Sequence, residues 1–254
     1  MKVTFLGSGT SQGVPVIGCN CEVCISTDKR NNRLRCSVLI ETESVSFVID
    51  TGPDFRYQML RSETKKLDAI VITHSHKDHI AGLDDVRAFN YFSQKPIDVF
   101  ATIETQQALR REFAYVFDNP NYPGVPQIQL NTIENNKGFD VFGVPIIPIK
   151  VRHYEMDVLG FRIQDFTYIT DANFIEEKEL EKVIGSKVLV LNALRHEKHV
   201  SHYTLSEAIE IAEKIKPAQT YFSHISHQLG LHEQIDTALP RGMHLAYDGL
   251  TLHL

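Results

Sequence analysis

Apolar and polar residues alternate with a period of two in several short stretches of the chain, and Gly, Pro and Asn residues separate these stretches. Such alternation predicts β-strands with at least one buried face. In the first half of the chain the predicted strands are residues 3–6, 37–41, 46–50 and 69–73. In the second half they are residues 139–142, 145–151, 160–163, 167–170 and 187–191. Each half therefore supplies the strands of one sheet.

Helical patterns lie between these strands. Residues 53–61 and 105–115 have apolar spacing that is compatible with helices, and the stretch TLSEAIEIAEKIKP is the clearest case. Thr204 and Glu207 match a capping box at its start, and Pro217 ends it. The sequence therefore predicts helices to cover the outer faces of the sheets.

The predicted strands fall into two runs with short, hairpin-like connections, and no linker, internal repeat or low-complexity segment divides the chain. Two sheets packed face to face, with helices outside, accommodate this order better than one doubly wound sheet. The predicted fold is therefore an α+β protein, a four-layer αββα sandwich, in a single domain of residues 1–254.

Composition and charge narrow the function classes. The 254 residues are 43% hydrophobic, which is enough for a sizeable core. The formal net charge is −6 and there are no basic clusters, so nucleic acid is a disfavoured partner. No run approaches the roughly 18 apolar residues of a membrane span, and the N-terminal MKVTFLGSGT lacks the apolar region of a signal peptide. We expect a cytoplasmic protein with no membrane partner, whose cysteines are thiols or metal ligands.

The stretch THSHKDHIA, which begins at Thr73, places three histidines and one aspartate in six positions. His74 and His76 are two residues apart at the end of a predicted strand, so an extended chain would point both imidazoles towards one metal ion. Asp78 and His79 follow where the chain turns, and can address a second ion nearby. A mixed imidazole and carboxylate set suits Zn, Mn or Fe. A pattern this dense is difficult to explain as a set of surface residues.

Four ligands do not complete two metal sites, so further ligands are expected downstream. His153 follows the apolar run IPIKVR, Asp171 follows FTYIT, and His224 follows QTYFS. A ligand at the end of a strand is held by a rigid sheet and faces the open rim, where a substrate can reach it. Together with the histidine cluster, these three residues become candidate ligands.

Three of the four cysteines form the pattern GCNCEVC. Cys19, Cys21 and Cys24 can reach one zinc ion, but they leave its tetrahedron one ligand short. Cys36 lies inside the strand pattern CSVLIE, where a small buried thiol is the commoner role. His227, in SHISH, is the better candidate for the fourth ligand.

Several other features lie near the candidate ligands in the sequence. His202 has no assigned metal, and a histidine near a dinuclear site is suited to bind phosphate or to donate a proton. His196 and His199 are interpreted as surface residues or neighbours of the site, and GSGT near the N-terminus as a tight turn that lines it. Residues 114–129, with three prolines, are either a surface loop or a wall over the site.

The chain resembles the metallo-β-lactamase superfamily through THSHKDH, VRHYE, YITDAN and YFSHISH, in that order, and the resemblance extends from FLGSGTSQGVP to YDGL. It implies an αββα sandwich, in agreement with the predicted layers, and two catalytic metal ions. By this likeness the ligands of the first ion are His74, His76 and His153, those of the second are Asp78, His79 and His224, and Asp171 bridges the two. Asp50 would orient the ligand histidines through hydrogen bonds.

The cysteine pattern together with HISH narrows the resemblance to the branch that contains the cyclic phosphodiesterase of the carbon–phosphorus lyase pathway. That branch implies a structural zinc in an N-terminal loop of about residues 18–36, with the ligands Cys19, Cys21, Cys24 and His227. It also has an active-site histidine before a helix, which His202 matches. His202 and Asp78 are therefore the residues expected to act in catalysis, Asp78 as a ligand as well.

Two divalent cations about 3.5 to 4 Å apart can share a hydroxide and hold the oxygens of a phosphodiester. The expected function is therefore hydrolysis of a small or cyclic phosphodiester with two Zn or Mn ions, in which His202 helps the alkoxide to leave. One alternative is an endonuclease that processes tRNA 3′ ends, although such enzymes normally carry a Gly- and Lys-rich arm that this sequence lacks. The others are a thioester or lactone hydrolase, a cofactor-biosynthesis member of the superfamily and a non-catalytic zinc-binding protein. A second copy of the chain, forming a homodimer, is a further candidate partner.

Overall fold

The computed structural model describes residues 1–118 and 124–254. The strands are β1 (Lys2–Gly7), β2 (Ser37–Glu41), β3 (Ser46–Ile49), β4 (Ala69–Val71), β5 (Ile97–Ala101), β6 (Ile128–Thr132), β7 (Phe139–Val141), β8 (Val144–His153), β9 (Met156–Ile163), β10 (Phe166–Tyr168), β11 (Phe174–Ile175), β12 (Val188–Asn192), β13 (Gln219–Ser223), β14 (Met243–Leu245) and β15 (Thr251–His253). The helices are α1 (Phe55–Arg61), α2 (Lys77–Ile80), α3 (Arg87–Ser93), α4 (Ile103–Glu112), α5 (Ala114–Asp118), α6 (Glu177–Val183), α7 (Leu205–Ile215) and α8 (His232–Ala238), with short 3-10 turns at Lys29–Asn31 and Leu83–Val86. Among these helices none is both long enough and apolar enough to cross a membrane.

Within the described residues the strands form two mixed sheets. One has the order β15-β1-β2-β3-β4-β5-β6, and the other has the order β11-β8-β9-β10-β12-β13-β14 with β7 paired to β8. The strands from β3 to β6 run parallel, as do β10, β12, β13 and β14. The prediction of hairpin-like runs is therefore wrong for these parts of the sheets. Parallel neighbours need a long crossover, and the helices from α1 to α8 lie in those crossovers.

The side chains along each strand divide between an inner and an outer core. In β2, Val38 and Ile40 belong to the core between the sheets, whereas Leu39 packs with the helices that cover the first sheet. In β12, Val190 lies in the same inner core and Leu189 packs with the helices on the second sheet. This alternation buries both faces of both sheets. The predicted four-layer αββα sandwich in a single domain is confirmed.

Most predicted elements lie where the sequence placed them, with shifts at their ends. Helix α7 begins with the predicted capping box, in which Thr204 Oγ1 accepts a hydrogen bond from the Glu207 backbone at 3.2 Å and Glu207 Oε2 accepts one from the Thr204 backbone at 2.9 Å. The helix predicted for residues 105–115 is instead two helices, α4 and α5, interrupted at Phe113. The strands predicted to reach residues 50 and 73 end earlier, at Ile49 and Val71.

Replacement of Thr204 by alanine removes the hydroxyl that accepts the Glu207 backbone N–H. We expect Thr204→Ala to lower the free energy of unfolding by about 1 kcal/mol, as measured by urea denaturation. Glu210→Ala, on the exposed side of the same helix, is the control and should change it by less than about 0.5 kcal/mol. Equal losses in both variants would mean that the cap does not contribute.

Candidate metal centre

The predicted ligands of the two catalytic ions converge at one rim of the sandwich. The structure forms two groups, one of His74, His76 and His153, and one of Asp78, His79, Asp171 and His224. Within each group, one potential ligand atom of every residue lies within 4.8 Å of the corresponding atoms of the others. The structure therefore brings together all seven residues that the sequence pattern selected. Their binding of metal stays a prediction.

Left-handed backbone recurs at this rim. Asp50 directly follows β3 with φ 66°, His224 directly follows β13 with φ 55°, and Asp171 lies beyond β10 with φ 53°. Such residues are strained by an energy on the order of 1–3 kcal/mol and cluster at active sites, where the surroundings enforce them. A Cβ on Gly52 would lie 2.1 Å from the carbonyl oxygen of Asp78, so only glycine fits there. The turn after Asp50 therefore packs directly against the segment that carries the second pair of ligands.

Asp50 is fully buried and orients two histidine rings. Its Oδ2 accepts a hydrogen bond from His79 Nδ1 at 2.7 Å and one from the Thr73 hydroxyl at 2.8 Å. Because the hydroxyl hydrogen of Thr73 is committed to Asp50, its oxygen accepts the Nδ1–H of His74 at 2.9 Å. In both rings Nε2 is then left for a metal ion, and neither Nε2 has a hydrogen-bond partner among the described residues. The prediction that Asp50 orients ligand histidines agrees with this geometry.

Carboxylates make the second group attractive to a cation. Burial opposes a charge on His79, but Asp171 and Asp50 raise its pKa well above the usual value. Burial likewise opposes a charge on His224, and Asp171 raises the pKa of that ring to about 9. Burial, followed by the charge on His79, lowers the pKa of His74 well below its usual value. Surroundings that draw protons onto buried imidazoles also favour a divalent cation in the same place.

Asp171 lies between the two groups. Its Oδ2 is 3.1 Å from His79 Nε2, and its Oδ1 is 3.1 Å from His224 Nε2. One of its oxygens also lies within 4.8 Å of ligand atoms of His153 and His202. The hydroxyl of Thr170 donates to Oδ2 at 2.8 Å and holds the buried carboxylate in place. This position suits a carboxylate that bridges two ions.

His202 contacts both ligand groups. Its ring centroid is 4.6 Å from that of His153 and 4.6 Å from that of His224. The side chain is only 9% exposed, so His202 is not a surface residue at the start of a helix. Burial, followed by the charge on His224, lowers its pKa to about 2. Its Nδ1 has no hydrogen-bond partner in the described part of the chain, which leaves an uncommitted imidazole beside the predicted metal pair.

A second cluster contains the three predicted cysteine ligands and His227. His227 Nδ1 lies 3.3, 3.4 and 3.5 Å from the Sγ atoms of Cys19, Cys21 and Cys24. One ring nitrogen carries at most one hydrogen and cannot donate to three sulfurs. Zn–S and Zn–N bonds of about 2.3 and 2.1 Å at a tetrahedral centre separate sulfur and nitrogen by about 3.6 Å. The four atoms therefore fit a structural zinc ion.

The thiolate form is favoured at one cysteine of this cluster. A hydrogen bond from the backbone of Cys24, followed by one from His227, lowers the pKa of Cys21 to about 6. Cys36 lies outside the cluster as a buried thiol, with its Sγ 3.4 Å from Ser223 Oγ, in agreement with the sequence interpretation. The zinc assignment itself stays a prediction.

The remaining sequence features occupy the surroundings of the site. The GSGT turn lies beside the segment of His224, since the Thr10 backbone donates to the Ile225 carbonyl at 3.1 Å. The His199 ring lies beside His202, tilted by 34° with ring centroids 5.2 Å apart, whereas His196 is exposed. Of the proline-rich segment 114–129, residues 119–123 lie outside the described residues, and Gln127 packs against helix α3 through hydrogen bonds with Asn90.

Sequence analysis missed the residues that hold the ligand segments by hydrogen bonds. Thr73 was not selected, although its hydroxyl donates to Asp50 and accepts from the ring of His74. Asn192 was also missed, although it ends the apolar run VLVL in the same way that Asp171 ends another run. A polar residue at the end of an apolar strand is the signal that would have selected it.

Comparisons relate this chain to known proteins. A solved structure described as a new diphosphatase from the PhnP family is 42% identical and superposes with a TM-score of 0.93, covering 100% of this chain and 97% of that chain. The octanoyltransferase of Porphyromonas gingivalis is 36% identical over 252 residues, which are 98% of this chain and 51% of that protein. Ribonuclease Z of Acaryochloris marina is 27% identical over 169 residues, which are 65% of this chain and 48% of that protein. The chain thus spans about half the length of these two relatives.

The sequence pattern of one protein family covers most of the described fold. The family is described as a beta-lactamase superfamily domain, and its pattern matches residues 46–225. This range runs from β3 to the residue after His224, and it contains all seven residues of the two ligand groups. The two mixed sheets, the helices outside them and the position of the site at the strand ends agree with this match. The chain belongs to the metallo-β-lactamase superfamily.

Proposed function

We propose that this member of the superfamily is a dinuclear-metal-dependent hydrolase of small or cyclic phosphodiesters. The observation that carries the proposal is the position of His202, a buried and uncommitted imidazole that contacts ligands of both predicted metal sites. A hydrolase is supported by membership in the superfamily. Phosphorus chemistry is supported by the 42% identical neighbour, which is described as a diphosphatase.

The residues present fit two divalent cations and one structural zinc. The cation ligands would be His74, His76 and His153 for one, Asp78, His79 and His224 for the other, and Asp171 for both, while Cys19, Cys21, Cys24 and His227 would hold the zinc. When bound, two divalent cations polarise the phosphoryl oxygens and activate the attacking water. Zn and Mn both suit this set of donors.

The protein groups supply orientation and a proton. Asp50 and Thr73 fix the rings of His74 and His79 so that Nε2 of each faces the site. His202 donates a proton to the oxygen that leaves, which an alkoxide needs because it is a poor leaving group. A bound phosphodiester places negative charge beside the His202 ring, which opposes the lowering of its pKa by burial and by the charge on His224.

A small substrate agrees better with the charge of the chain than a polyanion does. The formal net charge is −6, and attraction of a nucleic acid backbone needs a basic surface. The relatives named ribonuclease Z that match over 65% of this chain are 27% to 31% identical, and this likeness does not carry their substrate to the chain. We therefore propose a small phosphodiester as the partner and nucleic acid as an unfavourable one.

A substituted diphosphate is a second candidate substrate. It is favoured by the description of the 42% identical neighbour as a diphosphatase. Its leaving group is a phosphate, which departs without a proton more readily than an alkoxide does. The octanoyltransferase is about twice as long as the part that this chain matches, so the activity in its name does not carry over.

The proposal is tested by an assay of the metal-replete protein on matched substrates. The panel contains bis-p-nitrophenyl phosphate, a nucleoside cyclic monophosphate, a dinucleoside diphosphate, an octanoyl thioester and a tRNA precursor. We expect turnover of the cyclic monophosphate and the nitrophenyl diester. Cleavage of the thioester or the precursor alone would contradict the proposal, and cleavage of the diphosphate alone would support the second candidate.

The first prediction from this proposal concerns metal content. Native protein should hold about three metal ions per chain, one with the cysteines and two at the rim. Asp171→Ala should lose the pair at the rim and keep the zinc, because Asp171 belongs to the second ligand group and also lies within 4.8 Å of a ligand atom of His153 in the first. Elemental analysis measures both. Asp165→Ala, which removes only a salt bridge to Lys187, is the control and should keep all the metal.

The second prediction concerns the cysteine cluster. Cys21→Ser and His227→Ala should each lose the zinc and lower the melting temperature, because the binding free energy of a structural zinc contributes to folding. His196→Ala is the control, because His196 is exposed and lies outside the cluster. If His227→Ala keeps its zinc and its melting temperature but loses turnover, the residue belongs to the catalytic site instead.

The third prediction concerns the proton donor. His202→Ala should keep both metals at the rim and lower turnover by roughly 10² to 10⁴ for a cyclic diester, the usual contribution of a positioned acid or base. The loss should be smaller for bis-p-nitrophenyl phosphate, since nitrophenolate leaves without a proton. Steady-state rates on the two substrates give the comparison. Equal losses would indicate that His202 binds phosphate, and unchanged rates would remove it from the mechanism.

A further inference from the structure

Asn173 joins the two segments that carry His153 and His202. Its side-chain Oδ1 accepts a hydrogen bond at 2.9 Å from the backbone N–H of Tyr154, the residue after His153. Its Nδ2 donates a hydrogen bond at 3.0 Å to the carbonyl of Val200, two residues before His202. A side-chain amide has one acceptor group and one donor group, and here each group serves a different segment.

The backbone at Asn173 is itself held firmly. Its N–H donates to the carbonyl of Arg152 at 2.8 Å. The preceding residue, Ala172, is held by Asn192, which accepts from its N–H at 2.8 Å and donates to its carbonyl at 2.9 Å. Tyr203 also donates to that carbonyl, at 2.8 Å. Because Asn192 is fully buried, the side chain of Asn173 extends from a base that is fixed to the core.

The two residues that the amide of Asn173 contacts lie at the surface, whereas the rings of His153 and His202 are buried. The side chains of Tyr154 and Val200 are 60% and 69% exposed. Tyr154 also has left-handed backbone, with φ 56°, which the surroundings must enforce. The other hydrogen bond between the segments runs from His153 Nδ1 to the carbonyl of Ser201 at 2.8 Å. The amide of Asn173 therefore adds a constraint on how these segments lie relative to each other, beside this hydrogen bond and the backbone hydrogen bonds that tie Arg152 and Tyr203 to residues 173 and 172.

We propose that Asn173 is a positioning residue that sets the separation of His153 and His202. The inference rests on the proposed function, in which His202 serves the leaving group and His153 is a metal ligand. Asn173 acts only through the backbone of the neighbouring residues Tyr154 and Val200. A displacement of about 1 Å in a catalytic group can lower a rate by up to 10²-fold, so the loss of this amide should be measurable.

Two substitutions separate the two halves of this role. Asn173→Ala removes both hydrogen bonds. Asn173→Asp keeps an acceptor for the Tyr154 N–H but has no donor for the Val200 carbonyl, so it releases only the segment of His202. Asn136→Ala is the control, because Asn136 is exposed and lies outside the segments of His153 and His202. Circular dichroism and the melting temperature establish that the variants fold.

Two measurements are made on each variant. The first is the rate at which a chelator removes metal from the rim of the metal-replete protein, which does not depend on turnover. The second is kcat and KM on a cyclic diester and on bis-p-nitrophenyl phosphate. We expect Asn173→Ala to release metal faster than the native protein and to lose kcat on the cyclic diester roughly 10- to 100-fold, with less loss on the nitrophenyl diester.

Asn173→Asp should lose kcat with the same dependence on the leaving group but should not release metal faster, since its added negative charge favours cations. Faster release from Asn173→Asp, equal losses on both diesters, or rates like those of Asn136→Ala would overturn the inference. If the native protein cleaves no diester, the proposed function fails. The chelator measurement then still decides whether Asn173 positions His153.

Discussion

The buried carboxylate of Asp50 is the group on which the organisation of the candidate centre depends. It accepts hydrogen bonds from the backbone and the hydroxyl of Thr73 and from the ring of His79. Burial raises the pKa of Asp50, and the charge on His79 and these hydrogen bonds oppose that rise. A buried carboxylate is tolerated only when it is satisfied in this way. Through Thr73 the same group fixes His74, so one side chain orients a ring in each ligand group.

The centre exists only where the two sheets meet. The first sheet and its crossovers supply His74 and His79, whereas the second supplies His153, Asp171 and His224. A hydrogen bond from the Leu159 backbone to the Thr73 carbonyl at 3.2 Å ties the two sheets together beside the site. The inner core of apolar side chains fixes the position of one sheet against the other. The ligands at the rims of the sheets therefore keep fixed separations.

The cysteine cluster connects the N-terminal loop to the segment that follows β13. It joins Cys19, Cys21 and Cys24 to His227, residues more than two hundred positions apart. His227 lies three residues after His224, and the intervening Ile225 donates a backbone hydrogen bond to the carbonyl of Ser8 at 3.0 Å. An ion held by the cysteines would therefore fix the N-terminal loop against the segment of a predicted catalytic ligand.

The sequence by itself determined which residues are the candidate ligands and which faces of the strands are buried. The histidine pattern is too dense for a surface loop, Asp171 and His224 end apolar runs, and the alternation in strands such as β2 assigns each side chain to a core. These signals are local, because they depend on neighbouring residues. Only the tertiary structure decided that many strands pair in parallel, since alternation specifies a face and not the direction of a neighbour. It also decided the hydrogen-bond partners of Thr73, Asn173 and Asn192, which lie far away in the sequence. A polar side chain has no preferred partner until folding brings one within reach.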